Sequence, residues 1–444
     1  MQKLLSGVDK HRELILKAER YIWNHPETGY KEFETSAYME DAFVSLGYDI
    51  VKADGITGFY TVIDTGRIGP EVLILGELDS IICPAHKDSN PKTGAVHSCG
   101  HNAQSATLLG IAAALKEPGA LDGMCGKIRL CAVPAEELLE IEFRSQLIKE
   151  GKIKYYGGKT EFLYRGYFDG VDIAFMVHTT QGNEFAANLG SVGCIAKRII
   201  YKGVAAHAGG SPWAGKNALY AATCGINAAN ALRETFKEED IIRFHPIITH
   251  GGDMVNAIPE EVTIESYVRG SSYDAIVAAN KRINQALCGA ALSIGANIEI
   301  IDTPGYAPLY NDPNMIELCR DAIKYVCPDK ELVVNNHIGS GSTDMGDLSC
   351  IMPVIHPYAP GAKGRSHGND YQIVNLETAC VQNAKWQLSM LFLLLCDGGK
   401  RAKDIISSFK PFFGSKEEYL SYVDLLNDSG DRIVYEDDSA QIRL

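Results

Sequence analysis

The sequence predicts an α/β fold, a mixed-sheet domain with helices on both faces, interrupted by a smaller α+β domain. Three observations predict it. Short, near-continuous apolar runs recur in the first 180 residues and end in polar groups. Helical periodicity fills the stretches between them. The middle of the chain then changes to strands with one wet face. At 444 residues the chain exceeds one ordinary core, and about two or three domains are expected.

Taken in order, residues 7–25 carry apolar positions at helical spacing, until Asn24-His25-Pro26-Glu27-Thr28-Gly29 breaks the pattern. A second helix is expected over roughly 32–46. Val72-Leu73-Ile74-Leu75 then leads to Glu77 and Asp79, Ile128 to Val133 leads to Glu136 and Glu137, and Ile173 to Val177 leads to His178. Apolar runs of this length read as buried parallel strands. In such sheets ligands collect beyond the carboxyl ends of the strands. From about 188 to 303 the order becomes β-α-β-α-β, with strands at 195–202, 262–268 and 298–301 and helices at 217–236 and 273–292, the pattern of a small α+β domain. After Pro304 a helix near 313–326, a strand near 351–356 and a long helix near 376–396 resume the first pattern. The expected organisation is therefore 1–187 and 304–400 as two parts of one domain, 188–303 as an inserted domain, and 401–444 as a charged, aromatic extension of unassigned role.

Composition narrows the class. A net charge of -14 argues against a nucleic-acid partner, whose phosphates demand basic patches. The apolar run Leu388 to Cys396 is about half a membrane span and reads as a buried helix. No apolar leader follows Met-Gln-Lys-Leu-Leu-Ser-Gly. Twelve scattered cysteines suit reduced thiols, so a cytoplasmic protein without a membrane partner is expected.

Four stretches carry chemistry. In His97-Ser98-Cys99-Gly100-His101-Asn102, a thiolate and an imidazole lie two residues apart, with a glycine for the tight turn between them. A thiolate can bridge two cations. Pro134-Ala135-Glu136-Glu137 places two carboxylates at a strand end, where one can bind metal and the other act as general base. An isolated pair of this kind is more often a solvated charge pair. His178 follows an apolar run, where a hydrogen-bonded core histidine is the common case. His367 sits in the polar loop Gly364-Arg365-Ser366-His367-Gly368. Together Cys99, His101, Glu137, His178 and His367 form a mixed N/O/S set suited to divalent Zn or Mn. A cysteine nucleophile, Cys99 with His101 as base, is the rival reading of the first cluster. Side chains at that spacing rarely reach the required geometry from one loop.

These stretches also resemble the M20 family of metallopeptidases and amidohydrolases, closest to its aminoacylase-like, carboxypeptidase-like and aminobenzoyl-glutamate-hydrolase-like members. His25 to Thr35 resembles that branch's N-terminal signature, Val96 to Asn102 its HACGHN motif, and Pro134 to Glu137 its PAEE motif. Gly203 to Ala208, Gly251 to Pro259 and Ser340 to Asp347 resemble three further motifs. The likeness spans about residues 10–397. It implies two divalent metal ions, with Cys99 bridging and His101, Glu137, His178 and His367 completing the site. Glu136 is then the general base. His207 is the oxyanion donor, in its own or a neighbouring subunit's site, and Asn256 and Arg269 hold a substrate carbonyl or carboxylate. The implied function is cleavage of an amide bond in an N-acyl or N-aminoacyl amino acid or a dipeptide, by a homodimer joined through the inserted domain. The alternative is a non-catalytic small-molecule-binding relative that keeps the fold.

The chain departs from the pattern at three places, one of them the stretch 83–95, longer than the short link of aminobenzoyl-glutamate-hydrolase-like members. Glu77-Leu78-Asp79 stands where relatives carry His-x-Asp or Ala-x-Asp, so Glu77 is either an extra acidic neighbour of the site or a plain loop charge. After Glu137, glycines are replaced by a segment over 138–168 with Lys149, Lys152, Lys154, Tyr155 and Tyr156, expected to rebuild a wall beside the site.

Overall fold

A computed structural model describes residues 1–444, which form a mixed α/β protein in two compact units. The first comprises Met1–Gly190, Leu309–Gly339 and Asp344–Lys416, the second Ser191–Pro308, Ser340–Thr343 and Glu417–Leu444. The sequence reading placed an inserted domain at 188–303 and gave 340–343 to the other part, whereas the second unit takes in Ser340–Thr343. The stretch 401–444 is not one appendage. Its first part belongs to the first unit and its last 28 residues, 417–444, to the second.

The first unit is built on a six-stranded sheet in the order Val51–Lys52, Phe59–Asp64, Lys127–Val133, Glu71–Glu77, Ile173–Phe175, Val354–Ile355. The last four run parallel, and Phe59–Asp64 pairs antiparallel with Lys127–Val133. Glu71–Glu77 is buried at every position, which is why its sequence shows no alternation. Each parallel strand ends in ionisable residues. Glu77 and Asp79 follow one, Glu136 and Glu137 the next, then His178, then His356. The helix His101–Leu115 is buried along its whole length and packs against Glu71–Glu77 and the helix Arg12–Trp23. Leu388–Leu395 lies in the largely buried helix Asn383–Leu395.

Local differences from the sequence reading are small. The expected first helix is two, Gln2–Lys10 and Arg12–Trp23, broken at His11. The strand near 351–356 shrinks to Val354–Ile355. The helix from 376 opens with a wide π-turn over Glu377–Gln382. The segment after Glu137 forms two short helices, Ile141–Lys149 and Gly158–Tyr164.

In the second unit the antiparallel strands Glu261–Gly270, Gly193–Lys202 and Asn297–Pro304 carry the helices Ala218–Asn230 and Tyr273–Ile294. Asn297–Pro304 alternates half-buried and buried residues, the mark of one face packed and one wet. The strand Asp428–Asp431 extends this sheet beside Asn297–Pro304. The last residues of the chain thus complete a sheet edge, a role without any local sequence signal. No helix of the protein is long and apolar enough to cross a membrane. All twelve cysteines are free thiols.

Candidate metal centre

The first unit gathers the metal-capable groups at the carboxyl end of its sheet. Gly100 sits at φ 97°, and a Cβ there would lie 2.5 Å from the Tyr371 hydroxyl. Only glycine fits this turn, which carries the chain from Cys99 into the first helical residue, His101. Cys99 Sγ then lies 3.3 Å from His178 Nε2. Cys99 belongs to two candidate metal-holding groups at once, Cys99–His101–His178 and Cys99–Glu137–His367. A third group is Glu77–His101–Glu136, and ligand atoms within each group lie within 4.8 Å of one another.

Hydrogen-bond partners behind these side chains orient them, as such partners do around bound metal ions. His101 Nδ1 faces the Asp79 carbonyl oxygen at 3.0 Å and its carboxylate at 3.2 Å. Both are acceptors, so Nδ1 carries a proton and Nε2 is turned toward the site. The other Asp79 oxygen accepts the Glu137 backbone N–H at 2.8 Å. His178 Nδ1 donates to the Thr179 carbonyl at 2.7 Å, which likewise turns Nε2 toward Cys99. His367 is held at φ 61°, a costly conformation for a non-glycine residue. Its backbone N–H donates to the Ser98 carbonyl at 2.9 Å, and Nε2 lies 3.0 Å from Glu137 Oε1.

Several buried atoms here make no hydrogen bond: Glu77 Oε2, His101 Nε2 and Glu137 Oε1 among them. Unsatisfied buried polar atoms are rare in folded proteins. A cluster of them with thiol, imidazole and carboxylate donors fits divalent cations, which Cys99, His101, His178, Glu137 and His367 could hold.

The electrostatics are those of a cation site. Burial and the Glu137 charge push the Cys99 thiol up, but His101 and His178 outweigh them and bring it to about 6. Burial opposes ionisation of Glu137, yet His367 and His101 draw it down to about 2. Glu137 and Cys99 lift His367 to about 11. Burial, then the charges of Glu77 and Glu137, hold Glu136 well above the usual carboxylate range. His97 and His356 are buried with both ring nitrogens unbonded. Burial, with His101 beside one and His178 beside the other, lowers each to about 3, so both are neutral.

The remaining residues singled out from the sequence lie in the second unit. His207 is exposed, and its Nδ1 accepts the backbone N–H groups of Gly209 and Gly210 at 3.1 and 2.9 Å. That tautomer leaves a proton on Nε2. Asn256 is exposed and its carbonyl accepts the Ala208 N–H at 2.9 Å. Arg269 is half-buried, opposite Cys194 in the sheet, with an Nε that makes no hydrogen bond.

The sequence reading did not single out Asp79, Lys159, Asp344 or His356 as site residues. Asp79 and His356 were findable, since each follows a buried strand. Lys159 was not. It follows Gly158, where a Cβ would meet the Pro134 carbonyl oxygen at 1.7 Å, inside a segment that resembled nothing. The lysines noted there, Lys149, Lys152 and Lys154, are exposed. The segment instead places the buried Arg144 guanidinium on the carbonyls of Glu137 and Tyr156 behind the Glu136-Glu137 turn.

Over residues 74–390 the sequence matches peptidase family M20/M25/M40. The chain belongs to this family. Among its relatives is the Xaa-Arg dipeptidase of Homo sapiens, 29% identical over 388 residues, covering 82% of this chain and 80% of that one. The N-acetyl-L-cysteine deacetylase of Bacillus subtilis is 28% identical, covering 72% and 73%. A p-aminobenzoyl-glutamate hydrolase component of Escherichia coli is 27% identical, covering 66% and 58%. Of solved structures, the aminobenzoyl-glutamate utilization protein of Klebsiella pneumoniae aligns with a TM-score of 0.67 at 18% identity, covering 88% of this chain and 98% of that one. A dinuclear metal-binding peptidase of the M20 family from Bacillus subtilis aligns at 0.61 and 18%, covering 86% and 97%. This family member is a metal-dependent hydrolase.

Proposed function

We propose that this chain is a binuclear amidohydrolase that cleaves the amide bond of an N-acyl or N-aminoacyl amino acid or a dipeptide. The observation that carries the reading is that Cys99 belongs to two ligand groups at once, as a bridging thiolate must. The relatives support the substrate class, being a dipeptidase, a deacetylase of an N-acetylated amino acid and a hydrolase of an aminobenzoyl-glutamate.

In this reading Cys99, His101, Glu137, His178 and His367 hold two ions, Zn or Mn. When bound, such ions lower the pKa of water toward neutrality and polarise the scissile carbonyl. Glu136 takes the proton of the attacking water and delivers it to the leaving amine. Its Oε2 lies 3.9 Å from His101 Nε2. Burial and its acidic neighbours raise its proton affinity, which suits a group that must accept a proton and then release it. His207 is assigned as the donor that meets the developing oxyanion, a contribution typically worth ~3 kcal/mol, in this copy's site or a second copy's. The proton on its Nε2 supports that role. Asn256 and Arg269 are assigned to the substrate carbonyl or carboxylate. Exposed Trp213 and Val255 of the second unit support a homodimer formed through it, which analytical ultracentrifugation tests.

The decisive experiment is hydrolysis of a panel of N-acylamino acids and dipeptides by metal-stripped protein, with and without added Mn or Zn. Turnover that appears only with metal and disappears in Glu136→Gln is expected. Turnover without metal refutes the reading, and binding without turnover across the panel favours a non-catalytic relative.

A further inference from the structure

Lys159 is fully buried, and so are both of its carboxylate partners, Glu77 and Asp344. Its ammonium donates to Glu77 Oε1 at 2.6 Å and to Asp344 Oδ1 at 2.5 Å, and its backbone N–H donates to Asp344 Oδ2 at 2.8 Å. With both acids ionised, one cation faces two anions, and the trio keeps a buried negative charge. A buried charge is strongly disfavoured unless something compensates it. The excess has a direction. Glu77 Oε1 is fixed on Lys159, whereas Oε2 makes no hydrogen bond and lies 3.1 Å from His101 Nε2. His101 Nδ1 is turned to Asp79, so Nε2 is the ring nitrogen left facing Glu77. Both atoms are buried and, with Glu136, form one group of possible metal-holding atoms that lie within 4.8 Å of one another, so a cation placed there would meet both.

We propose that Glu77 is a sixth protein ligand of the metal centre, sharing the cation of His101, and that Lys159 and Asp344 are positioning residues that aim it. The inference rests on the two-metal reading above and deepens it. Lys159 locks one carboxylate oxygen, so the other is presented in a single orientation. Asp344 locks Lys159 from two sides, through its side chain and its backbone. A carboxylate oxygen hardens this end of the site relative to Cys99, His101 and His178 alone, which favours Mn.

The test is metal stoichiometry and affinity, read independently of activity. Metal-stripped full-length protein is titrated with Mn2+ by calorimetry, and the ions retained after gel filtration are counted by atomic emission. The wild-type chain is expected to hold two ions and Glu77→Gln one. Glutamine keeps the shape and leaves Lys159 and Asp344 as a balanced pair, so the metal-free variant should melt with the wild type. Asp344→Asn keeps the Lys159–Glu77 pair but frees its far side. It should hold two ions, one of them roughly 10–100-fold more weakly. Two ions at wild-type affinity in Glu77→Gln overturn the inference and leave the two-metal reading standing. If Glu77→Gln fails to fold, unchanged affinity in Asp344→Asn overturns it. Fewer than two ions in the wild type overturn the two-metal reading itself, and this inference with it.

Discussion

A cluster of buried charged and polar side chains in each unit can be set against the other, and the two are finished differently. In the second unit the fully buried Lys197 ammonium donates to Asp302 Oδ1 and, at 2.6 Å, to Asn284 Oδ1. The other Asp302 oxygen accepts from Asn280 at 2.7 Å and from Asn284 at 3.0 Å. Charge is balanced one to one, and each of these ionic groups has its partners. In the first unit the cluster around Cys99 and His101 is as deeply buried, yet Glu77 Oε2 and His101 Nε2 make no hydrogen bond. A satisfied buried network serves as a strut. One whose open atoms converge is incomplete without a ligand. Completeness, rather than burial, separates structure from site.

The largest expected effect lies in the incomplete cluster. Glu136→Gln should lower kcat by ~10²–10⁴-fold while emission spectroscopy finds the metal content unchanged. A loss below tenfold would move the base elsewhere.

The complete cluster should respond through stability. Asp302→Ala strands Lys197, which burial already pushes below its usual range against the pull of Asp302. Removing one partner of a buried pair costs ~3–5 kcal/mol, measured by urea unfolding. A cost near zero would mean that water reaches Lys197 and that the two clusters are not different in kind.

Metal sharpens the contrast. Metal-stripped Cys99→Ala should unfold within about 1 kcal/mol of the wild type, the range of a change that loses little net interaction. Adding Mn2+ at 100 times its Kd should stabilise the wild type by ~2.7 kcal/mol per site and the variant by less. Binding should also release protons, because His367, lifted to about 11 by Glu137, holds one in the metal-free site. Calorimetry in buffers of different ionisation enthalpy counts them.

The smallest effect belongs to Glu19, an intermediate case. Its Oε1 accepts from Asn102 at 2.8 Å, and its Oε2 makes no hydrogen bond. Burial, opposed by Arg20 and Asn102, raises it from 4.5 to about 7. The folded state thus holds this proton more tightly than the unfolded chain. Its contribution to stability is complete below pH 4.5 and is lost as pH rises through about 7. Glu19→Gln should flatten that decline, by roughly 2.5 kcal/mol between pH 5 and 8. An unchanged pH profile would show that Glu19 ionises normally.

The sequence determined a good deal of this protein. Continuous apolar runs over 72–75, 128–133 and 173–177 marked the parallel strands, because a strand covered on both faces has no polar side to show. Polar residues at their ends marked the edge where a ligand gathers, and Cys99-Gly100-His101 and Glu136-Glu137 are local enough to be read as motifs. Tertiary structure alone decided how those groups are finished. Lys159 meets Glu77 across 82 positions and Asp344 across 185. His367 meets Glu137 Oε1 at 3.0 Å, and Asp428–Asp431 closes a sheet begun at Gly193. The physical reason is range. Periodicity and turn chemistry act between near neighbours in the chain. The partner of a buried charge is chosen by whatever the fold brings to hydrogen-bonding distance, at any separation in sequence.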